Sequence, residues 1–348
     1  MPGDEGLIEV REAHEFDQGA LERYMATRLA GFSGITRVRQ FEGGQSNPTF
    51  LVETPERPYV LRKKPPGKLL KSAHMVDREY RVIEALGETD VPVPRVYFLC
   101  QDEGVIGTSF YVMEYVAGRV IRRPDLPAAS REERSAIYDS MNDVLARLHS
   151  VDIDSVGLGD FGRPGNYFER QIGRWTAQYR ASQTEELADM EDLVRWLPEN
   201  IPADDSVSIV HGDFRLENSI YHATRPRLMA LLDWELSTIG HPLADLAYNC
   251  MVYHHPTTAE ADLIDVDYAA TGIPTEEAYV EAYCRRTGRT GIEDWSFYLA
   301  FSFFRLASIA QGVYKRGLDG NASSARALEF EDKCGLLAAA ACSILGRR

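Results

Sequence analysis

The chain has 348 residues, of which 44% are hydrophobic and 26% charged; by length this is about two domains or one two-lobed unit, with ample material for a core. A formal net charge of -15 argues against nucleic acid or an anionic membrane as the main partner, since both are bound through basic patches; the acidic balance serves solubility first and a cationic substrate second. Cys100, Cys250, Cys284, Cys334 and Cys342 are scattered and without CxxC spacing, as expected for reduced thiols in a cytoplasmic protein, and no apolar run approaches the roughly 18 residues of a membrane span.

The first predicted element is a helix over residues 17–31, with Leu21, Tyr24, Met25 and Leu29 on one face and Gly31 as its stop. Strand, glycine-rich loop and strand follow: Val38 and Phe41, then Gly43-Gly44-Gln45-Ser46-Asn47-Pro48, then Thr49 to Val52. Tyr59-Val60-Leu61-Arg62 reads as a third strand closed by Pro65-Pro66-Gly67. Val76, Tyr80, Ile83 and Leu86 recur at helical spacing and predict a helix over residues 75–87. Phe110 to Val116 is a strand ending near Gly118. Beyond it, Ile137, Met141, Val144, Leu145 and Leu148 mark a long amphipathic helix, and residues 167–197 read as a single helix up to Pro198. Ser208-Ile209-Val210 and Leu228 to Leu232 are short buried strands, and from Leu243 the pattern is mostly helical. Strands before residue 117 and helices after it predict an α+β fold of two lobes, 1–117 and 118–348, with a hinge near 114–118.

Two motifs carry the chemistry. His211-Gly212-Asp213-Phe214-Arg215-Leu216-Glu217-Asn218 follows one buried strand and Asp233-Trp234-Glu235 follows the next. Such a His-x-Asp-x4-Asn loop supplies a carboxylate to orient a hydroxyl and an amide oxygen for magnesium, and the later aspartate supplies a second oxygen ligand. Asp213 is therefore the candidate catalytic residue, and Asn218 and Asp233 are the candidate metal ligands. Taken singly, each has a plainer account: a turn cap for Asp213, a left-handed turn residue for Asn218, a helix N-cap for Asp233. The three in this order favour the chemical one. His211 is expected to pack and hydrogen-bond the local backbone, and Asp245 either caps a helix or holds the 211–213 loop from below.

The glycine-rich loop could lie over ATP phosphates, with Gly44 letting backbone N–H groups approach and Ser46 and Asn47 adding polar contacts, although paired glycines also make ordinary hairpins. A cation for the phosphates comes from Arg62 or Lys63, with Glu79 on the next helix as ion-pair partner. Period 2 puts Val60 and Arg62 on one face, so Val60 would roof the adenine if Arg62 is the cation; a solvated basic edge is the competing account of this region. Met113, Glu114 and Val116 lie where the lobes would join and are candidates for adenine contact. Arg215 either faces an anionic group of the substrate or pairs with Glu217 or Glu235.

These residues resemble the aminoglycoside phosphotransferase and choline kinase superfamily, relatives of the protein kinases, through HGDFRLEN at 211–218, LLDWE at 231–235 and DREYRVIEAL at 77–86. More narrowly, YVLRKKPPG at 59–67, DWELSTIGHPLADLAYN at 233–249 and FRLASIAQGVYKRG at 304–317 are similar to bacterial phosphotransferases that resemble the kinase-like domain fused to some animal acyl-CoA dehydrogenases. The resemblance implies a bilobal protein-kinase-like fold, with a small antiparallel-sheet N-lobe and a larger helical C-lobe, ATP between the lobes and magnesium at the centre. It gives Asp213 the catalytic role, Asn218 and Asp233 the metal roles, Arg62 the phosphate contact and Glu79 its partner. The implied activity is phosphorylation of a small-molecule hydroxyl. A hydroxyacyl-CoA-like acceptor is favoured, with an aminoglycoside or a non-catalytic nucleotide-binding module as alternatives. The acceptor is expected near residues 166–180 and 241–255.

Overall fold

The computed structural model describes residues 6–42, 47–65, 75–254, 262–320 and 325–347. In chain order the first part runs β1 (Leu7–Ile8), α1 (Gln18–Ala26), β2 (Arg37–Phe41), β3 (Thr49–Glu53), β4 (Tyr59–Lys63), α2 (Val76–Leu86), β5 (Val96–Cys100), β6 (Phe110–Glu114) and β7 (Arg119–Val120). It continues with α3 (Arg131–His149), α4 (Tyr167–Ser182), α5 (Ala188–Glu199), β8 (Ser208–Val210), β9 (Ser219–Tyr221), β10 (Leu228–Leu231) and β11 (Thr238–Gly240). The helices α6 (Pro242–Cys250), α7 (Tyr268–Thr271), α8 (Glu276–Thr287), α9 (Trp295–Leu318) and α10 (Lys333–Ile344) complete it. The architecture is α+β, as the sequence predicts. No helix among the described residues is long and apolar enough to cross a membrane.

The chain forms two compact units. The first takes the described residues of Met1–Val120, Asp154–Leu158 and Glu217–Ser237, and the second those of Ile121–Ile153, Gly159–Leu216 and Thr238–Arg348. A 6-stranded antiparallel sheet of order β1-β2-β3-β4-β6-β5 organises the first unit. One face carries Val38, Phe50, Val52, Tyr59, Leu61, Phe98, Phe110 and Val112, packed with Leu21 and Met25 of α1. Strand period puts the intervening residues on the other face, where Val60 pairs with Met113 and Arg62 with Tyr111. A smaller sheet, β10-β9-β7, belongs to the same unit. A Cβ on Gly118 would sit 2.4 Å from the Tyr221 carbonyl oxygen, so only glycine allows the chain to pass β9 so closely.

Two helices differ from the sequence expectation. The helix expected over 17–31 is capped by the Asp17 side chain but stops at Ala26, where the Thr27 hydroxyl donates to the Tyr24 carbonyl at 2.7 Å and competes with continued helix. The helix expected over 167–197 is two helices, α4 and α5. The break lies in residues 183–187, where Gln311 Nε2 of α9 donates to the Ser182 carbonyl and to Thr184 Oγ1, both at 3.0 Å. A partner from a distant helix satisfies the carbonyl that ends α4, and no glycine or proline marks the break. Pro198 sits inside the last turn of α5 rather than beyond it.

Candidate functional site

The first unit gathers Arg62, Glu79, Asn218 and Asp233. Arg62 projects from β4 and donates through Nε to Glu79 Oε2 on α2 at 2.9 Å. Its Nη2 reaches Asp233 Oδ1 at 2.6 Å and lies 3.9 Å from Glu235 Oε2. Burial opposes the charge on this guanidinium, but the carboxylates of Glu79 and Asp233 outweigh it and hold its pKa above the ordinary value. Glu79 is 1% exposed. Burial raises its pKa; the Arg62 charge opposes that, while the carboxylates of Asp233 and Glu235 add to it. Lys63, one residue on, turns to the opposite face, where its ammonium stands 5.3 Å from the Phe16 ring centroid and 5.7 Å from that of Phe50. Of the two cations the sequence offers, Arg62 is the one beside Glu79.

Asn218 and Asp233 meet because they flank a hairpin. Ser219 of β9 pairs with Leu231 of β10, and Leu232 N donates to the Asn218 carbonyl at 2.8 Å. Asp233 has φ +65°, a left-handed conformation that costs a non-glycine residue about 1–3 kcal/mol and clusters at functional positions. These residues fit a hard divalent cation. Glu79, Asp233 and Glu235 place three carboxylates around one guanidinium, Glu79 Oε1 is buried without a hydrogen-bond partner among the described residues, and the Asn218 backbone is tied to Leu232, the residue before Asp233. Among the described residues no group of three His, Cys, Asp or Glu side chains could hold a metal by itself; magnesium does not require one when nucleotide phosphates complete its shell.

The remaining nucleotide candidates lie in the same unit. Gly44 and Ser46 are outside the described residues. Asn47 is fully buried, and neither polar atom of its amide has a hydrogen-bond partner among the described residues. Val60 and Met113 are buried cross-strand partners on the Arg62 face. Glu114 ends β6, exposed, and Val116 is half-buried beyond it.

The second unit holds Asp213. β8 delivers the chain into a loop with Gly212 at φ +84°, and the neighbouring helices pin that loop. Asp245 of α6 accepts from His211 N at 2.5 Å and Gly212 N at 2.8 Å. Asn249 Nδ2 donates to the Phe214 carbonyl at 3.3 Å, and Arg305 Nη2 of α9 donates to the Gly212 carbonyl at 2.5 Å. Asp245 thus holds the loop rather than merely capping its helix. Burial alone would raise its pKa; the hydrogen bond and charge of His149, together with His211 and the Gly212 N–H, lower it instead. His211 is fully buried and its Nδ1 accepts from Asp213 N at 3.2 Å, a structural role. The Asp213 carboxylate accepts from the Tyr248 hydroxyl on Oδ1 at 2.7 Å, and Arg215 Nε lies 3.4 Å from Oδ2.

A family model described as the phosphotransferase enzyme family matches residues 37–297. The chain belongs to that family. Mouse acyl-CoA dehydrogenase family member 10 is 48% identical over 321 residues, covering 91% of this chain and 30% of the relative. Human acyl-CoA dehydrogenase family member 11 is 44% identical over 328 residues, covering 92% and 42%. The chain therefore spans less than half the length of these relatives. A solved Ralstonia eutropha chain assigned as an aminoglycoside phosphotransferase shares 49% identity at TM-score 0.88, over 96% of this chain and 99% of that one. A thermostable mutant of the aminoglycoside phosphotransferase APH(4)-Ia, solved as a ternary complex with AMP-PNP and hygromycin B, shares 16% identity at TM-score 0.60 over 92% and 98%; it shares the fold. The sheet-rich N-terminal and helical C-terminal regions are those of this phosphotransferase fold.

Within this member of the phosphotransferase family, Tyr248, Asn249, Arg305 and His149 are structural contributors that the motif does not mark. Two signals were present: Tyr248 and Asn249 follow Asp245 at the i+3 and i+4 positions of one helix face, and Arg305 is a lone cation in the apolar run FSFFRLAS.

Proposed function

We propose that the protein transfers the γ-phosphoryl group of ATP, with magnesium, to a hydroxyl of a small molecule. The observation that carries this reading is the Asp213 loop, whose backbone is fixed by Asp245, Asn249 and Arg305 while the carboxylate it presents is 17% exposed. Phosphoryl transfer has a loose transition state, so positioning of the acceptor counts for more than strong basicity. The acceptor oxygen bonds to the γ-phosphorus, the bond from that phosphorus to the bridging oxygen breaks, ADP leaves, and the hydroxyl proton passes to Asp213. Arg62 contacts the phosphates and Glu79 holds it in place. Val60 and Met113 supply an apolar surface for adenine, with the backbone from Glu114 to Val116 along its edge and Asn47 beside the phosphates. Asn218 and Asp233 would hold magnesium, which supplies electrostatic stabilisation of charge on the transferring group.

The acceptor we favour is a hydroxyacyl thioester such as a hydroxyacyl-CoA. Kinship with acyl-CoA dehydrogenase family members supports it, as does the cation Arg215 beside Asp213, which suits an anionic acceptor better than a polycationic aminoglycoside. The assignment of the Ralstonia relative supports the aminoglycoside alternative. Retention of Asp213, Asn218 and Asp233 disfavours a non-catalytic nucleotide-binding module. A phosphorus-NMR screen of simple alcohols, aminoglycosides and hydroxyacyl thioesters with ATP and magnesium tests this. A phosphomonoester resonance is expected with the thioesters; nucleotide binding with no phosphomonoester from any hydroxyl compound would overturn the transferase reading.

A further inference from the structure

α6 brings Tyr248 to Asp213 by the same face that brings Asp245 to the loop backbone. The phenolic hydroxyl donates to Asp213 Oδ1 at 2.7 Å. The ring is itself held: the Arg305 guanidinium lies 5.4 Å from its centroid and 5.7 Å from that of Trp175, and Arg305 also bonds the Gly212 carbonyl next to Asp213. Among the described residues, the charged and titratable groups that face Asp213 and its phenol partner include Arg215 and His211 of the same loop, Tyr248 of α6, and Arg305 of α9.

We propose that Tyr248 is a positioning residue for phosphoryl transfer: its hydroxyl, bound to Oδ1, fixes the orientation in which Asp213 presents its carboxylate, with Arg215 beside Oδ2, to the acceptor hydroxyl. This rests on the transferase reading given above. A carboxylate free to rotate would spend part of its time with neither oxygen aligned on the acceptor, and alignment is what a loose transition state needs. A hydrogen bond to the charged form also lowers a carboxyl pKa. Tyr248 can serve across the whole working range. Burial, with the Asp213 charge adding to it and the Arg215 and Arg305 charges opposing, pushes the phenol above its ordinary value, so it remains a donor.

Tyr248→Phe keeps the ring beneath Arg305 and removes only the hydroxyl. In protein labelled with carboxyl-13C aspartate, Asp213 is identified by its loss in Asp213→Asn, and its titration is followed without substrate. In Tyr248→Phe the midpoint is expected about one pH unit higher. kcat should fall roughly 10- to 100-fold, the loss of one hydrogen bond to a charged group, with the nucleotide KM unchanged and the acidic limb of the pH–rate profile moved to higher pH. An unchanged carboxyl midpoint overturns the proposal whether or not activity has been found. So does a kcat equal to that of the unsubstituted protein, or a loss of nucleotide affinity matching the fall in kcat. If the midpoint moves but no acceptor is ever phosphorylated, the transferase reading fails while the Tyr248–Asp213 coupling stands.

Discussion

Arg62 and Lys63 are neighbours in sequence with opposite surroundings, because a strand alternates its faces. Arg62 meets Glu79, Asp233 and Glu235; Lys63 is buried against Phe16 and Phe50, and burial lowers its pKa. Removing a partner from a buried ion pair leaves an uncompensated charge, worth about 3–5 kcal/mol. Glu79→Ala should lose an amount near the lower end, since Asp233 still faces the guanidinium, and urea denaturation would measure it; a loss below about 1 kcal/mol would show that Arg62 does not depend on Glu79. Asp213 makes a different prediction. Asp213→Asn keeps the shape of the loop but cannot take a proton, so transfer should fall at least roughly 100-fold. Stabilisation by ATP with magnesium should remain, about 2.7 kcal/mol at a hundredfold excess over Kd. A fully active Asp213→Asn protein would remove Asp213 from the mechanism.

At the level of elements, α6 connects stability to the site, because one helix carries Asp245, Tyr248 and Asn249 against the Asp213 loop. Its N-cap is His241, whose Nδ1 accepts from Leu243 N at 3.3 Å and whose ring stacks on Tyr298. Burial holds the His241 pKa down at about 4, against the pull of the nearby Asp204 carboxylate and with the Arg289 charge assisting. The folded pKa lies below the unfolded value of about 6.5, so as pH falls the unfolded chain binds this proton first. The stability it contributes is fully present above pH 6.5 and is lost as pH falls toward 4, by about 3 kcal/mol in all. Asp204, held near 2 by Ser206 and Arg289 against its own burial, loses its contribution only below that window. His241→Asn retains a capping side chain but not the titration. Its stability, lower overall for loss of the ring, should decline less between pH 6.5 and 4 than that of the unsubstituted protein. Parallel curves would show that another group controls the acid transition. The element pattern also marks where sequence reading ends. β4, α2 and β6 were visible because periodicity and breakers sit within them. The break between α4 and α5 was not, because Gln311 of α9 makes it. Asp245 links α6 to the Asp213 loop and Tyr248 shares its face at i+3, but no pattern in the sequence marks that hydroxyl as the partner of the Asp213 carboxylate.

For the whole molecule, the first unit is assembled from three separate stretches of chain. The change from strand-rich to helix-rich sequence near residue 117 is plain in the composition. The return of residues 217–237 to the first unit is not, because nothing local announces that β9 will pair with β7 or that the turn after β10 will pack on α2. Those later stretches supply contacts the early residues lack by themselves. β9 pairs with β7, with Arg119 opposite Tyr221, and Leu231 N donates to the Pro92 carbonyl at 2.8 Å. Arg62 receives Asp233 and Glu235 as counter-charges. A fragment of residues 1–120 would keep its 6-stranded sheet but would remove the Asp233 and Glu235 carboxylates from Arg62, strip β7 of its pairing partner, and expose the surface of α2 on which residues 234–236 pack. Each loss is of the kind that costs a few kcal/mol, against a total stability of about 5–15 kcal/mol for a domain. The fragment should therefore show no cooperative thermal transition by circular dichroism, and ATP with magnesium should not restore one, since Asn218 and Asp233 are missing. Adding back residues 217–237 through a flexible linker should recover a transition. Cooperative melting of the 1–120 fragment would mean that its own sheet and the packing of α1 suffice, and that the later stretches serve the site alone.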